Sequence, residues 1–453
     1  MIKNSLPFVL VLLLSGTALS PGQSHPPADS QVKQRLKNFV EKNKRAPGIV
    51  VGLIDEKGSR VLAYGNRGTD QASSVDGDTV FEIGSATKVF TTLLLQEMVD
   101  RNEVKLDDPI GKFLPPSVKS PSRNGKQITL LDLATQSSGL PRLPDNLMGL
   151  RTLMHLDNPY ADYTPEKLYE FLASYKLTRD IGSKYEYSNL GMGLLGHVLA
   201  LKARTNYEAL VITRICDPLK MNSTRITLSP ELKSRLATGH NAKGKPVSNW
   251  DFQTIEGCGA LRSTVNDMLK FLAVNMGIDP CSIADAAVKT HIPLRDADLG
   301  QRIGLGWHTS TAGIIWHNGG TGGYRSYVGF SPRTHRGVVV LCNSANDVDD
   351  LALEILGPAR EHQLAKVDPL IYTNYVGKYQ LAPGATLTIT SEGEKFFAQL
   401  TGQEKIEFFP ESEADFFCNV VDAQLTFVKD AAGAVTAVVL HQGGYDQKAK
   451  KLQ

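Results

Sequence analysis

Apolar and polar positions follow three textures along the chain. From Asp29, "DSQVKQRLKNFVEKNK" places apolar residues at helical spacing behind an aspartate suited to a cap. "GIVVGLIDEKGSRVLAYGNRG" then reads as two strands turning at Glu56-Lys57-Gly58. The long middle is helix-rich: 88–101, 129–136, 165–174, 190–203 and 264–276 all carry apolar residues every three or four positions. Strand patterns return at "IGLGWHTS", "GIIWHNGG", "YRSYVGFS" and "GVVVLCNS", before a last helix near 347–362. Strands at both ends with helices between predict an α/β (α+β) domain over 29–363, an antiparallel sheet closed by both termini, flanked by helices and carrying an all-helical insertion. From Tyr372 the texture becomes short alternating strands ("VGKYQL", "ATLTIT", "KFFAQL", "IEFFPE", "QLTFVKD", "VTAVVLHQ") punctuated by glycines. Such spacing predicts a small all-β, barrel-like domain over 372–453, with the boundary between Gln363 and Ile371.

The first residues form a separate pattern. Lys3 precedes an apolar core from Leu6 to Leu14 that is short for a bilayer span, and Gly16-Thr17-Ala18 or Ala18-Leu19-Ser20 offers small residues for cleavage. Residues 1–20 are therefore expected to be a signal peptide, and the mature protein to be periplasmic or secreted. No later segment is long and apolar enough to span.

Composition narrows the classes further. With 42% hydrophobic and 21% charged residues the chain is of globular type. A net charge of +2 gives no electrostatic case for nucleic acid or an anionic membrane as partner. The five cysteines, Cys216, Cys258, Cys281, Cys342 and Cys418, lack metal-ligand spacing, so no metal and no cofactor is called for. One or two disulfides are possible in an oxidising compartment, the odd count leaves at least one thiol unpaired, and the sequence does not choose the pairs.

Three short motifs carry chemistry. Ser85 and Lys88 lie three apart where a Gly-ended strand meets a strongly apolar helix, so both face one side; Ser85 can cap that helix. A serine attacks only when a neighbour takes its proton, which a buried lysine can do. Ser30-Gln31-Val32-Lys33 has the same spacing, so spacing alone does not select the pair. The second motif is Tyr187-Ser188-Asn189 before another helix: a phenol able to share the proton, and an amide able to bind a substrate amide by donor and acceptor. The third is His317-Asn318-Gly319-Gly320, which sets a partly charged histidine beside the site and glycines along which a substrate backbone can lie. The Gly320 N–H is placed to complete an oxyanion hole with that of Ser85. Arg325 follows closely, either a bidentate carboxylate partner or a surface arginine.

In this order the motifs resemble the penicillin-recognising serine hydrolases, in particular the class C β-lactamase-like branch. The likeness runs from about Ile49 to Ala359 through "VKLDDPIGKFLPP", "ITLLDLATQSSGLPR", "YSNLGMGLLGHVL", "GCGALRSTVNDMLKFL" and "GLGWH". It is strongest to the D-alanyl-D-alanine carboxypeptidase/endopeptidase type, some of which carry a small C-terminal β domain. The resemblance implies Ser85, Lys88 and Tyr187 as the acylation centre, and D-Ala-D-Ala peptides of peptidoglycan, β-lactams or esters as substrates. Alternatives left open are a β-lactamase or esterase with the same centre, or an idle member that binds peptidoglycan or a protein. His317 stands where most such β-lactamases have lysine, and Gln136 where histidine is frequent, which reads as a loop detail. A class A Glu-x-x-Leu-Asn segment is missing, so deacylating water is left to the Tyr187/Lys88 centre.

Overall fold

A buried run with no polar alternation belongs inside a sheet rather than at its edge, and "GIVVGLID" is paired on both sides. The structure is a computed structural model describing residues 27–55, 57–68, 73–147, 158–357, 364–418, 423–430, 432–442 and 445–452. The expected signal peptide lies outside the described residues. The chain divides into two compact units, Pro26–Ala359 and Arg360–Gln453.

The first unit is built on eight strands: β1 (Gly48–Asp55), β2 (Gly58–Gly65), β3 (Arg295–Asp296), β4 (Arg302–Ile303), β5 (His308–Thr309), β6 (Ile315–Gly320), β7 (Arg325–Ser331) and β8 (Arg336–Cys342). Their order is β2-β1-β8-β7-β6-β5-β4-β3, all antiparallel. Ile49 faces Cys342 and Ile54 faces Gly337, so strands from the two ends of the unit close the sheet as expected. "IGLGWHTS" yields two short strands rather than one. Gly306 takes φ +75°, and a Cβ on Gly304 would stand 2.5 Å from the Thr290 carbonyl oxygen, so the chain turns and dips where a continuous strand was expected.

Alternate residues of the central strands feed two apolar layers. On one face Val51, Leu53, Val338 and Val340 pack with α1 (Asp29–Lys37) and α5 (Asp349–Leu356) through Val32, Leu36, Ala352 and Ile355. Ala28 occupies the N-cap position and Asp29 falls in the first turn. On the other face Val50, Val339 and Leu341 join the larger helical core around α2 (Thr87–Asp100), α3 (Asn189–Ala203) and α4 (Val265–Asn275). Two glycines let α4 press on the sheet: a Cβ on Gly52 would be 2.7 Å from Val265, and one on Gly337 2.8 Å from Leu272.

In the second unit eight further strands, β9 (Gly377–Ala382), β10 (Ala385–Glu392), β11 (Lys395–Leu400), β12 (Ile406–Pro410), β13 (Asp415–Phe417), β14 (Ala423–Lys429), β15 (Val435–Gln442) and β16 (Tyr445–Lys451), close into a barrel. The seam joins β9 to β16 at Tyr379/Lys451 and Gln380/Lys450. Inside, Phe396 stacks on Phe416 at 4.4 Å and Tyr375 on Phe427 at 4.2 Å.

Candidate active site

Ser85 is delivered by backbone anchors on both sides. Phe81 and Glu82 form a two-residue ladder with Ser263 and Arg262, the Ile83 N–H donates to the Leu261 carbonyl at 3.0 Å, and the Ser326 hydroxyl donates to the Ile83 carbonyl at 2.7 Å. Gly84 then takes φ +50°, and a Cβ there would stand 2.7 Å from the Gly320 nitrogen. Only glycine meets both demands at this point. Ser85 lies in the tight turn Gly84–Ala86 and does not cap α2, whose cap position is Ala86. The expectation of a serine cap is thus corrected: the turn directs its hydroxyl away from the helix end, toward Lys88. Every other residue from Thr79 to Met98 is buried, and Ser85 alone is partly open.

Lys88 is fully buried. Its ammonium nitrogen donates to Ser85 Oγ at 2.9 Å, Asn189 Oδ1 at 2.8 Å and the Cys258 carbonyl at 2.7 Å. Three acceptors match the three protons of an ammonium group. The same nitrogen lies 4.8 Å from the centroid of the Tyr187 ring. Ser85, Lys88, Tyr187 and Asn189 are therefore brought together, though they come from separate elements. Asn189 has its acceptor oxygen committed to Lys88, so only its amide N–H remains to meet a substrate, in contact with Tyr160 at 3.4 Å.

The Cys258 carbonyl reaches Lys88 because α3 carries glycines on one side. A Cβ on Gly193 would lie 2.3 Å from Ile255, and one on Gly196 3.0 Å from Gly257. With those side chains missing, the turn Glu256–Cys258 sits directly on α3 and points its last carbonyl inward. Burial pushes the Cys258 thiol up to about 11, so the sulfur stays protonated. None of the five cysteines is joined in a disulfide, so the bridges that the composition allowed are not present.

The third motif is divided between the two faces of β6, as strand alternation requires. His317 points toward the site, its ring 6.4 Å from Tyr187 and 5.3 Å from His308. Burial first, then His308 and Lys88, push it well below the usual imidazole range. His308, hydrogen-bonded to the Tyr185 hydroxyl at 2.9 Å, is pushed down to about 4. His317 is therefore neutral, which corrects the expectation of a partly charged anchor: a buried position does not hold a second cation beside Lys88. The Asn318 side chain turns to the opposite face and donates to Asp349, so it is not among the groups at Ser85. Arg325, paired with Gly320 across the strands, donates to the Thr321 and Tyr324 carbonyls on that same far side. The carboxylate-partner role is accordingly not the one it fills here. Gly319 and Gly320 lie against the serine turn: a Cβ on Gly319 would be 2.9 Å from the Ser85 nitrogen.

Asp349 supplies a test of how β6 is held. Burial and then Asp347 push its carboxyl up to about 7. The folded form thus keeps a proton that the unfolded chain loses near pH 4, and stability falls as pH rises from about 4 to about 7. Asp349→Asn keeps an acceptor for Asn318 and removes that slope. It is expected to be more stable than the parent at pH 8, by roughly 1–3 kcal/mol, and about equal at pH 4. Urea unfolding at the two pH values checks this; an unchanged difference across them would count against it.

Two further residues were given no role at the site from the sequence. Gln136, read there as a loop detail, takes φ +56° and brackets the phenol: its carbonyl accepts from the Glu186 N–H at 2.7 Å and its Oε1 from the Ser188 N–H at 2.8 Å. Arg142 lies with its guanidinium carbon 5.0 Å from the Tyr187 centroid, and its carbonyl accepts from the Asn189 and Leu190 N–H groups. Both lie in "ATQSSGLPR", where a polar run between helices was the available signal.

A family model described as Beta-lactamase matches residues 30–357, and one described as a domain of unknown function (DUF3471) matches 361–452. The D-alanyl-D-alanine-carboxypeptidase/endopeptidase AmpH of Escherichia coli is 28% identical over 384 residues, 78% of this chain and 97% of that protein. A beta-lactamase of Lysobacter lactamgenus is 24% identical over 386 residues, 77% of this chain and 95% of the relative. Among solved structures, the D-alanine carboxypeptidase AmpC of Burkholderia cenocepacia superposes with a TM-score of 0.61 at 24% identity, covering 73% of this chain and 98% of its own, a likeness of fold.

Proposed function

The chain belongs to the β-lactamase family and is a serine hydrolase, and from that premise we propose that it works through an acyl-enzyme on Ser85. Its substrates in this reading are D-alanyl-D-alanine peptides of peptidoglycan, with β-lactams as slow or true substrates. The observation that carries it is the 2.9 Å contact between Lys88 and the one open hydroxyl in a buried stretch.

Ser85 attacks the substrate carbonyl while its proton passes to the Tyr187 oxygen, acting as a phenolate beside the Lys88 ammonium, and from there to the leaving amine. Lys88, with its three protons on three acceptors, holds Ser85 and Asn189 in register. Tyr187 stands open beside it as the group that exchanges a proton with solvent and substrate. The Ser85 and Gly320 N–H groups receive the developing oxyanion, a role favoured by how closely glycines 84, 319 and 320 let the two peptides approach. The Asn189 amide donates to the substrate's acyl-side carbonyl. The same centre then activates water for deacylation.

The esterase reading has one observation behind it: a neutral His317 gives the third element no charge for a substrate carboxylate. The intact Ser85, Lys88 and Tyr187 set speaks against an idle binder, since nothing in binding calls for a buried lysine against a serine. The N-terminal pattern supports export, and among the described residues no helix is long and apolar enough to cross a membrane.

Mass spectrometry after exposure to a fluorescent penicillin tests the central claim, with a covalent adduct on Ser85 as the expected result and an unmodified folded protein as the contrary one. Turnover of nitrocefin, a D-Ala-D-Ala peptide and p-nitrophenyl acetate, measured side by side, then ranks the subclasses. The peptide is expected to dominate.

A further inference from the structure

We propose that Arg142 docks the free carboxylate of the substrate and so determines specificity, an inference that rests on the acyl-enzyme reading above. A substrate ending in a carboxylate needs a cation near the serine, and the groups available can be taken one at a time. Lys88 is buried with its three protons committed. His317 and His308 are neutral. Arg325 is turned to the other face of the sheet and bonded to two carbonyls.

Arg142 differs from all of them. It is exposed, it forms no ion pair among the described residues, and its guanidinium lies against the Tyr187 ring, whose side chain in turn borders Lys88. A guanidinium stays charged at any working pH and presents parallel N–H groups that fit a carboxylate as a fork. Its position is fixed by main chain rather than side chain. The Arg142 carbonyl accepts from the Asn189 N–H at 3.0 Å and the Leu190 N–H at 3.2 Å, tying the loop to the start of α3. Replacing the side chain therefore leaves that tie in place. The partner chemistry is a mobile substrate carboxylate, since no protein carboxylate among the described residues occupies the guanidinium.

Binding without chemistry tests this. In the full chain carrying Ser85→Ala, calorimetric titration would compare a peptide ending in D-Ala-D-Ala with its C-terminal amide. The carboxylate form is expected to bind at least ~10-fold more tightly. Adding Arg142→Ala should bring the two forms within about 2-fold of each other by weakening the carboxylate form alone, and Arg142→Lys should recover part of the difference. A preference that survives Arg142→Ala, equal weakening of both peptides, or no preference before the change would each overturn the assignment. Because no bond to position 85 can form in this background, the acyl-enzyme reading is judged separately, by the adduct in the unsubstituted protein.

Discussion

Ser85→Ala is expected to lower hydrolysis by ~10⁴-fold or more while leaving the unfolding midpoint nearly unchanged. The serine side chain is partly open, its hydroxyl does not cap α2, and its one described side-chain partner is the Lys88 ammonium, which keeps two other acceptors. The deletion thus removes the attacking oxygen and little packing. Neither turnover nor a covalent penicillin adduct should survive it. An adduct retained in Ser85→Ala, mapped by peptide mass spectrometry, would place the nucleophile elsewhere.

Lys88→Met acts on both rate and stability. Methionine has similar length and fills the buried volume, but the Cys258 carbonyl and Asn189 Oδ1 lose their donor. Each orphaned acceptor costs on the order of 1–3 kcal/mol, partly offset by burying a thioether instead of a charge, so a net loss of about 1–3 kcal/mol is expected. Acylation should fall by ~10²–10⁴-fold, because both alignment of Ser85 and proton transfer are lost. Stopped-flow acylation and thermal unfolding report the two effects apart. A variant that acylates at the parental rate would remove Lys88 from the centre.

The pattern of apolar spacing was a good guide to the large elements, because those are set by residues near one another in the chain. The helix beginning at Thr87 was expected from 88, the one at Asn189 from 190, and the sheet's closure by both ends followed from strand runs at the two ends of the unit. Ser85, Lys88 and Tyr187 were legible because motif order along the chain carries the family's arrangement. What stayed hidden depends on which way a side chain turns or how deeply it lies. Asn318 and Arg325 flank the right strand on its wrong face, and His317 lost its charge to burial, which no local pattern encodes. Gln136 and Arg142 are legible only once Tyr187 is in space beside them.

The barrel of residues 377–451 has each strand hydrogen-bonded on both sides, and its interior is filled by stacked rings. A sheet without a free edge gives an incoming extended peptide nothing to zip onto, and a lumen already occupied by aromatics has no room for a guest molecule. A ligand of this unit would therefore have to be gripped from outside, by loop tips and outward-facing side chains, and a search for one should begin with substitutions there.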